Sequence, residues 1–87
     1  MLFMSVITWE PGQRDAMLKR REEKGIMAPK GVKVVGEWWD TSGGRDFLLY
    51  EGDDAAALAQ WNMTYSDLVK VDTTTVVEAE ELLKLLK

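Results

Sequence analysis

The chain has 87 residues, with 11 Lys and Arg against 15 Asp and Glu and a formal net charge of −4. That length fits one domain, residues 1–87, and the charge balance offers no basic surface for nucleic acid. Cysteine and histidine are both absent, which excludes disulfides, thiolate nucleophiles, and the commonest general base and transition-metal ligand.

Leu2 to Trp9 is a dense run of apolar and β-favouring residues and reads as a buried strand. It has no basic lead-in and is much shorter than the ~20 apolar residues of a membrane span. A cytoplasmic protein with no membrane partner is therefore expected. Pro11-Gly12 ends the strand and opens a highly charged helix from about Gln13 to Lys24, closed by Gly25. In it only Ala16, Met17 and Leu18 offer apolar surface. Ile26 to Gly31 is a connector. Val32 to Asp40 and Arg45 to Glu51 read as two strands, joined by a Thr41-Ser42-Gly43-Gly44 hairpin loop whose glycines supply positive φ. Asp53 and Asp54 place carboxylates ahead of a helix through Ala55 to Trp61, favourable to its dipole. Leu68 to Val77 forms a last, β-branched strand. Glu78 to Lys87 then sets Ala79, Leu82, Leu83 and Leu86 on one helical face.

The element order is β-α-β-β-α-β plus a short C-terminal helix, which predicts an α+β, ferredoxin-like fold. Right-handed crossovers give a four-stranded antiparallel sheet of order 4-1-3-2 with both main helices on one face. If the hairpin pairs Trp39 with Asp46 and Trp38 with Phe47, one face carries Val32, Val34, Gly36, Trp38, Phe47, Leu49 and Glu51. The other carries Lys33, Val35, Glu37, Trp39, Asp46, Leu48 and Tyr50. Both are partly apolar, whereas a sheet with one wet face alternates more cleanly. The expectation is that the helices cover the first face. A second subunit would cover the other through Val35, Glu37, Trp39, Leu48 and Tyr50. A domain this small buries only about 60–65% of its unfolded surface, so a homodimer would supply what a lone chain lacks.

The run from Val34 to Asp54, with Gly36, Trp38, Gly43, Gly44, Glu51 and Asp54, resembles a family of short, uncharacterised prokaryotic proteins classed as a domain of unknown function. The likeness extends to Trp9-x-Pro11, the basic first helix and Ser66-Asp67-Leu68, and so covers nearly the whole chain. It implies a dimeric α/β barrel in which two four-stranded sheets pack together. It implies no activity. The haem-binding branch of that superfamily needs a histidine ligand, which this chain lacks.

Glu51 ends a Phe-Leu-Leu-Tyr-Glu run, where apolar surroundings would raise its pKa and suit it to acid or base work. It could equally pair with an arginine or reach water. Arg14, Arg20 and Arg21 lie on the first helix, where one would clamp an anionic ligand group or all would face solvent. Trp9, Arg21, Trp38, Glu51, Trp61 and Tyr65 are the candidate lining of a pocket between sheet and helices. Asp53-Asp54 is explained by helix capping, so no metal and no cofactor is expected. Two functions stay open. One is a small-ligand-binding or assembly module for an amphipathic or aromatic molecule. The other is a cofactor-independent enzyme of the small monooxygenase or isomerase type, with Glu51 as acid or base.

Overall fold

The computed structural model describes residues 1–87. In chain order it comprises β1 (Leu2–Thr8), a 3-10 turn (Pro11–Gln13), α1 (Arg14–Lys24), β2 (Lys33–Trp39), β3 (Arg45–Glu51), α2 (Ala55–Met63), β4 (Lys70–Val76) and α3 (Ala79–Leu85). The four strands form one antiparallel sheet in the order β2-β3-β1-β4, the expected 4-1-3-2 read from the other edge. No helix is long and apolar enough to cross a membrane.

Local chemistry accounts for the boundaries. Gly25 takes a φ of 68° and returns its N–H to the Arg21 carbonyl, ending α1. In the hairpin the Asp40 carboxylate accepts from the Ser42 N–H at 2.9 Å and from Arg45 Nε at 2.7 Å. Of the two loop glycines only Gly43 is left-handed, with a φ of 84°. Asp54 caps α2 by accepting from the N–H groups of Ala56 and Ala57. Asp53 does not share that task, and pairs instead with the Met1 amino group at 2.7 Å.

The expected hairpin pairing is present, with Trp39 opposite Asp46 and Trp38 opposite Phe47. Beyond it the ladder slips at Val35, so that Val34 faces Tyr50 while Gly36 faces Leu49. This bulge gives β2 one extra residue and puts Val34 on the same side as Glu37, although they are three apart.

The sides of the sheet are the reverse of those expected. The helices cover the Asp46, Leu48 and Tyr50 side, where all three are buried, together with Ser5 of β1. Glu37, Leu48 and Tyr50 therefore point beneath the helices and not toward an outer interface. Trp38, expected beneath the helices, lies on the open side and is 56% exposed. The cause lies in two carboxylates. Asp46 and Glu37 stand on the side expected to meet a second subunit, but α1 delivers Arg21 to Glu37, and that charge is met from within the chain.

The core is small: Leu48, Tyr50 and Trp61, ringed by Phe3, Ile7, Ile26, Val32, Val34 and Leu58. Tyr50 meets Trp61 edge-on at 5.0 Å and stacks on Phe3 at 5.6 Å, geometries that aromatic quadrupoles favour. Met17 is the one residue of α1 that is buried; Leu18 stays exposed. The leucines of the last segment, Leu82, Leu83, Leu85 and Leu86, are exposed as well, so this segment does not cover its own sheet.

Candidate functional site: a buried carboxyl beneath the helices

Between sheet and helices lies a cleft of about 60 Å³, several times the space one water requires. β1 contributes Ser5 and Ile7, the residue after that strand Trp9, β2 Glu37, and β3 Asp46, Leu48 and Tyr50. Met17 and Arg21 come from α1, Trp61 from α2, and Tyr65 from the turn after it. The walls are largely apolar, with the charged groups gathered at one place.

That place is built by strand alternation and helical spacing together. On β3, Asp46, Leu48 and Tyr50 are two apart and so share a face. On α1, Met17 and Arg21 are four apart, so burying Met17 aims Arg21 at the sheet. Arg21 then grips Glu37 with both terminal nitrogens, Nη1 at 2.9 Å from Oε2 and Nη2 on Oε1. Burial alone would raise the Glu37 pKa, but hydrogen bonds from Arg21 and Asp46 outweigh it and hold Glu37 below the usual carboxylate range.

Asp46 sits beside this pair in a different condition. It is 4% exposed, and its Oδ1 has no hydrogen-bond partner. Burial, then the hydrogen bond and charge of Glu37, push its pKa up to about 8, with Arg21 opposing. Arg21 supplies one positive charge and Glu37 one negative, so the group is electrically balanced when Asp46 carries a proton. At neutral pH the cleft therefore holds one ionised and one protonated carboxyl side by side, an arrangement suited to proton transfer.

The surroundings are firmly held. Ser5 Oγ links Tyr50 Oη at 2.9 Å and Thr73 Oγ1 at 2.8 Å, a row across three strands. Trp61 Nε1 donates to the Ile26 carbonyl at 2.8 Å, and Tyr65 Oη to that of Gly25 at 3.0 Å. Arg20 pairs through two bonds with Asp67 and also donates to the Thr64 carbonyl at 3.0 Å. Burial raises the Tyr65 pKa against the opposing charges of Arg21 and Arg20.

Of the expected lining residues, Trp9, Arg21, Trp61 and Tyr65 converge on the cleft, and Trp38 and Glu51 do not. Glu51 is exposed at the end of β3, on the opposite side of the sheet from Asp46, and lines a separate, more open pocket with Met1, Lys33 and Asp53 instead of the cleft. Arg14 pairs with its neighbour Asp15 at the surface. Trp39 packs against Trp9 at 5.8 Å. Val35 is exposed at the bulge. The residues missed were Asp46 and Glu37 as cleft groups. The available signal was the alternation Asp46-x-Leu48-x-Tyr50, which places the aspartate on the face of two large apolar residues.

A family model described as a domain of unknown function, DUF3303, matches residues 1–87. The chain belongs to that family. A search of curated proteins finds no match.

Proposed function

We propose that this member of the DUF3303 family is a homodimeric, ferredoxin-like small-ligand-binding protein of the dimeric α/β-barrel kind, with one cleft per chain. The observation that carries the reading is Asp46 Oδ1, a buried polar atom without a partner on the wall of an apolar cleft. Native proteins leave few such atoms, because each costs about 1–3 kcal/mol. A ligand with one polar group and a flat apolar body satisfies it while covering Trp9, Trp61 and Tyr65.

The dimer rests on the open side of the sheet. Val6 and Met4 of β1 lie opposite Phe47 and Leu49 of β3 there, and Trp38 extends the patch onto β2. Only seven of 87 residues are buried in the single chain, so a second copy against this side adds the core that one copy lacks. The exposed leucines of α3 supply further apolar surface to the same assembly.

Two measurements test the reading. Titration with small neutral aromatic ketones and phenols, followed by nuclear magnetic resonance, should shift Ile7, Met17 and Val71 and leave Trp38 unmoved. Shifts confined to the open side, or none, would refute the cleft. Sedimentation at micromolar concentration should give a species of twice the 9.9 kDa chain; a clean monomer would refute the dimer.

A further inference from the structure

We infer that Asp46 and Glu37 form an acid–base couple that catalyses a keto–enol proton shift on a compact, uncharged carbonyl compound held in the cleft. The inference rests on the ligand-binding reading and adds chemistry to it.

The geometry separates the two carboxyls. A structural aspartate this deep would be expected to take Arg21 as its partner. Arg21 instead spends both terminal nitrogens on Glu37, and Asp46, which lines the cleft, is left with its buried Oδ1 unpaired. The two carboxyls line one cleft, and each acts on the other's titration. One proton shared within the pair, plus the Arg21 charge, gives a neutral site. That favours an uncharged substrate, because an added anion would meet Glu37 with no free cation to offset it. The walls ask for a flat, apolar body, and the small volume asks for a compact one. With no histidine and no cysteine in the chain, a carboxyl pair is the strongest proton-transfer device available to it.

The step needs no oxidant, reductant or co-reactant. Starting from the enol, the Asp46 carboxyl delivers its proton to the substrate carbon, forming a C–H bond as the C=C bond becomes single and the C–O bond becomes double. The enol O–H breaks, and its proton passes to the Glu37 carboxylate. Glu37 returns that proton to Asp46 along the contact between them, restoring the starting state. Arg21 is a positioning residue: it keeps Glu37 the more acidic of the two, so the proton comes back to Asp46. The titratable and charged groups lining the cleft are Arg21 from α1, Glu37 from β2, Asp46 and Tyr50 from β3, and Tyr65 after α2.

The test uses the full chain and acetylacetone, a compact neutral diketone whose enol is followed by its ultraviolet absorbance. Tryptophan fluorescence reports its binding independently. Wild-type protein should speed the approach to keto–enol equilibrium above buffer, with a rate that falls as pH rises through about 8. Asp46→Asn should bind acetylacetone and lose about 10²-fold or more of that acceleration. Glu37→Gln should lose a similar factor, and Asp46→Glu should recover part of it. Binding without acceleration in the wild type, or acceleration that survives Asp46→Asn, overturns the acid–base couple and leaves the binding reading standing. No binding at all overturns both.

Discussion

Replacing Asp46 by Asn tests the electrostatics of the cleft directly, because Asn keeps the shape of a protonated carboxyl and cannot ionise. An ordinary aspartate releases its proton near 3.8, whereas Asp46 in the fold holds it to about 8. Between those values the folded chain binds a proton that the unfolded chain has lost. The contribution is fully present below 3.8 and is lost as pH rises through 8, so stability falls across that window. The slope is at most about 1.4 kcal/mol per pH unit. From pH 5.5 to 7.5 the wild type should therefore lose up to about 3 kcal/mol, or on the order of 10–20 °C in Tm for a domain of this size. Glu37, held below its ordinary range, is ionised throughout this interval and does not imitate the effect. Titrations elsewhere in the chain cancel when the variant is compared with the wild type at fixed protein concentration. Urea unfolding at the two pH values is the assay. Asp46→Asn should be close to the wild type at pH 5.5 and more stable at pH 7.5. Parallel pH dependences would refute the reasoning, and a variant less stable at pH 7.5 would show that Asp46 is ionised and paired with Arg21.

Other substitutions probe the elements that build the cleft and the open side. Gly36→Ala would set a Cβ 2.5 Å from the Trp38 ring, so the indole resonance of Trp38 should move while those of Trp9 and Trp61 hold; an unmoved Trp38 refutes the packing. Trp61→Phe removes the donor to the Ile26 carbonyl and should cost about 1–3 kcal/mol in urea unfolding. Asp54→Ala removes the α2 cap and should lower Tm by roughly 4–8 °C, for a loss of about 1 kcal/mol; Asp53→Ala should have a smaller effect. Val35→Ala at this exposed site should change stability by no more than about 0.5 kcal/mol in urea unfolding; a larger loss would show that the Val35 side chain is packed.

Much of the fold was legible because it rests on short-range chemistry. Pro11, Gly25, Gly43 and Asp54 each mark a boundary by a local hydrogen bond or dihedral angle, and β3 runs over the residues expected of it. The strand order follows from the order of elements and the handedness of crossovers. What alternation cannot supply is which side the helices take, since both sides of β3 carry large apolar residues. The usual tie-breaker assigns the side with charges to water. Here that rule fails, because the neutralising charge comes from α1, a helix distant in sequence from β3. Arg21 was legible as a candidate, but its partner was not: Glu37 is expected in a dimer interface until Met17 is seen to turn the helix toward it. Glu51 misled for the same reason in reverse. It follows an apolar run, but strand parity takes it to the opposite side from Tyr50 and out of the cleft.

The bulge at Val35 reconciles two demands on β2 that regular pairing cannot meet together. Counting back from Trp39 opposite Asp46, an unbroken strand would direct Glu37 and then Val35 beneath the helices and turn Val34 and Val32 outward. The core around Tyr50 uses Val34 and Val32, and the cleft uses Glu37. One extra residue satisfies both, and Val35 is the residue left outside. Regular pairing from the hairpin already brings Gly36 opposite Leu49 on the open side, where the absence of a side chain lets the Trp38 ring lie against the strand. The ionised carboxylate of the cleft and the aromatic patch of the open side thus follow from the hairpin register, and the bulge adds Val34 and Val32 to the core beneath the helices. Asp46→Asn and Gly36→Ala should therefore perturb the cleft and the open face one at a time.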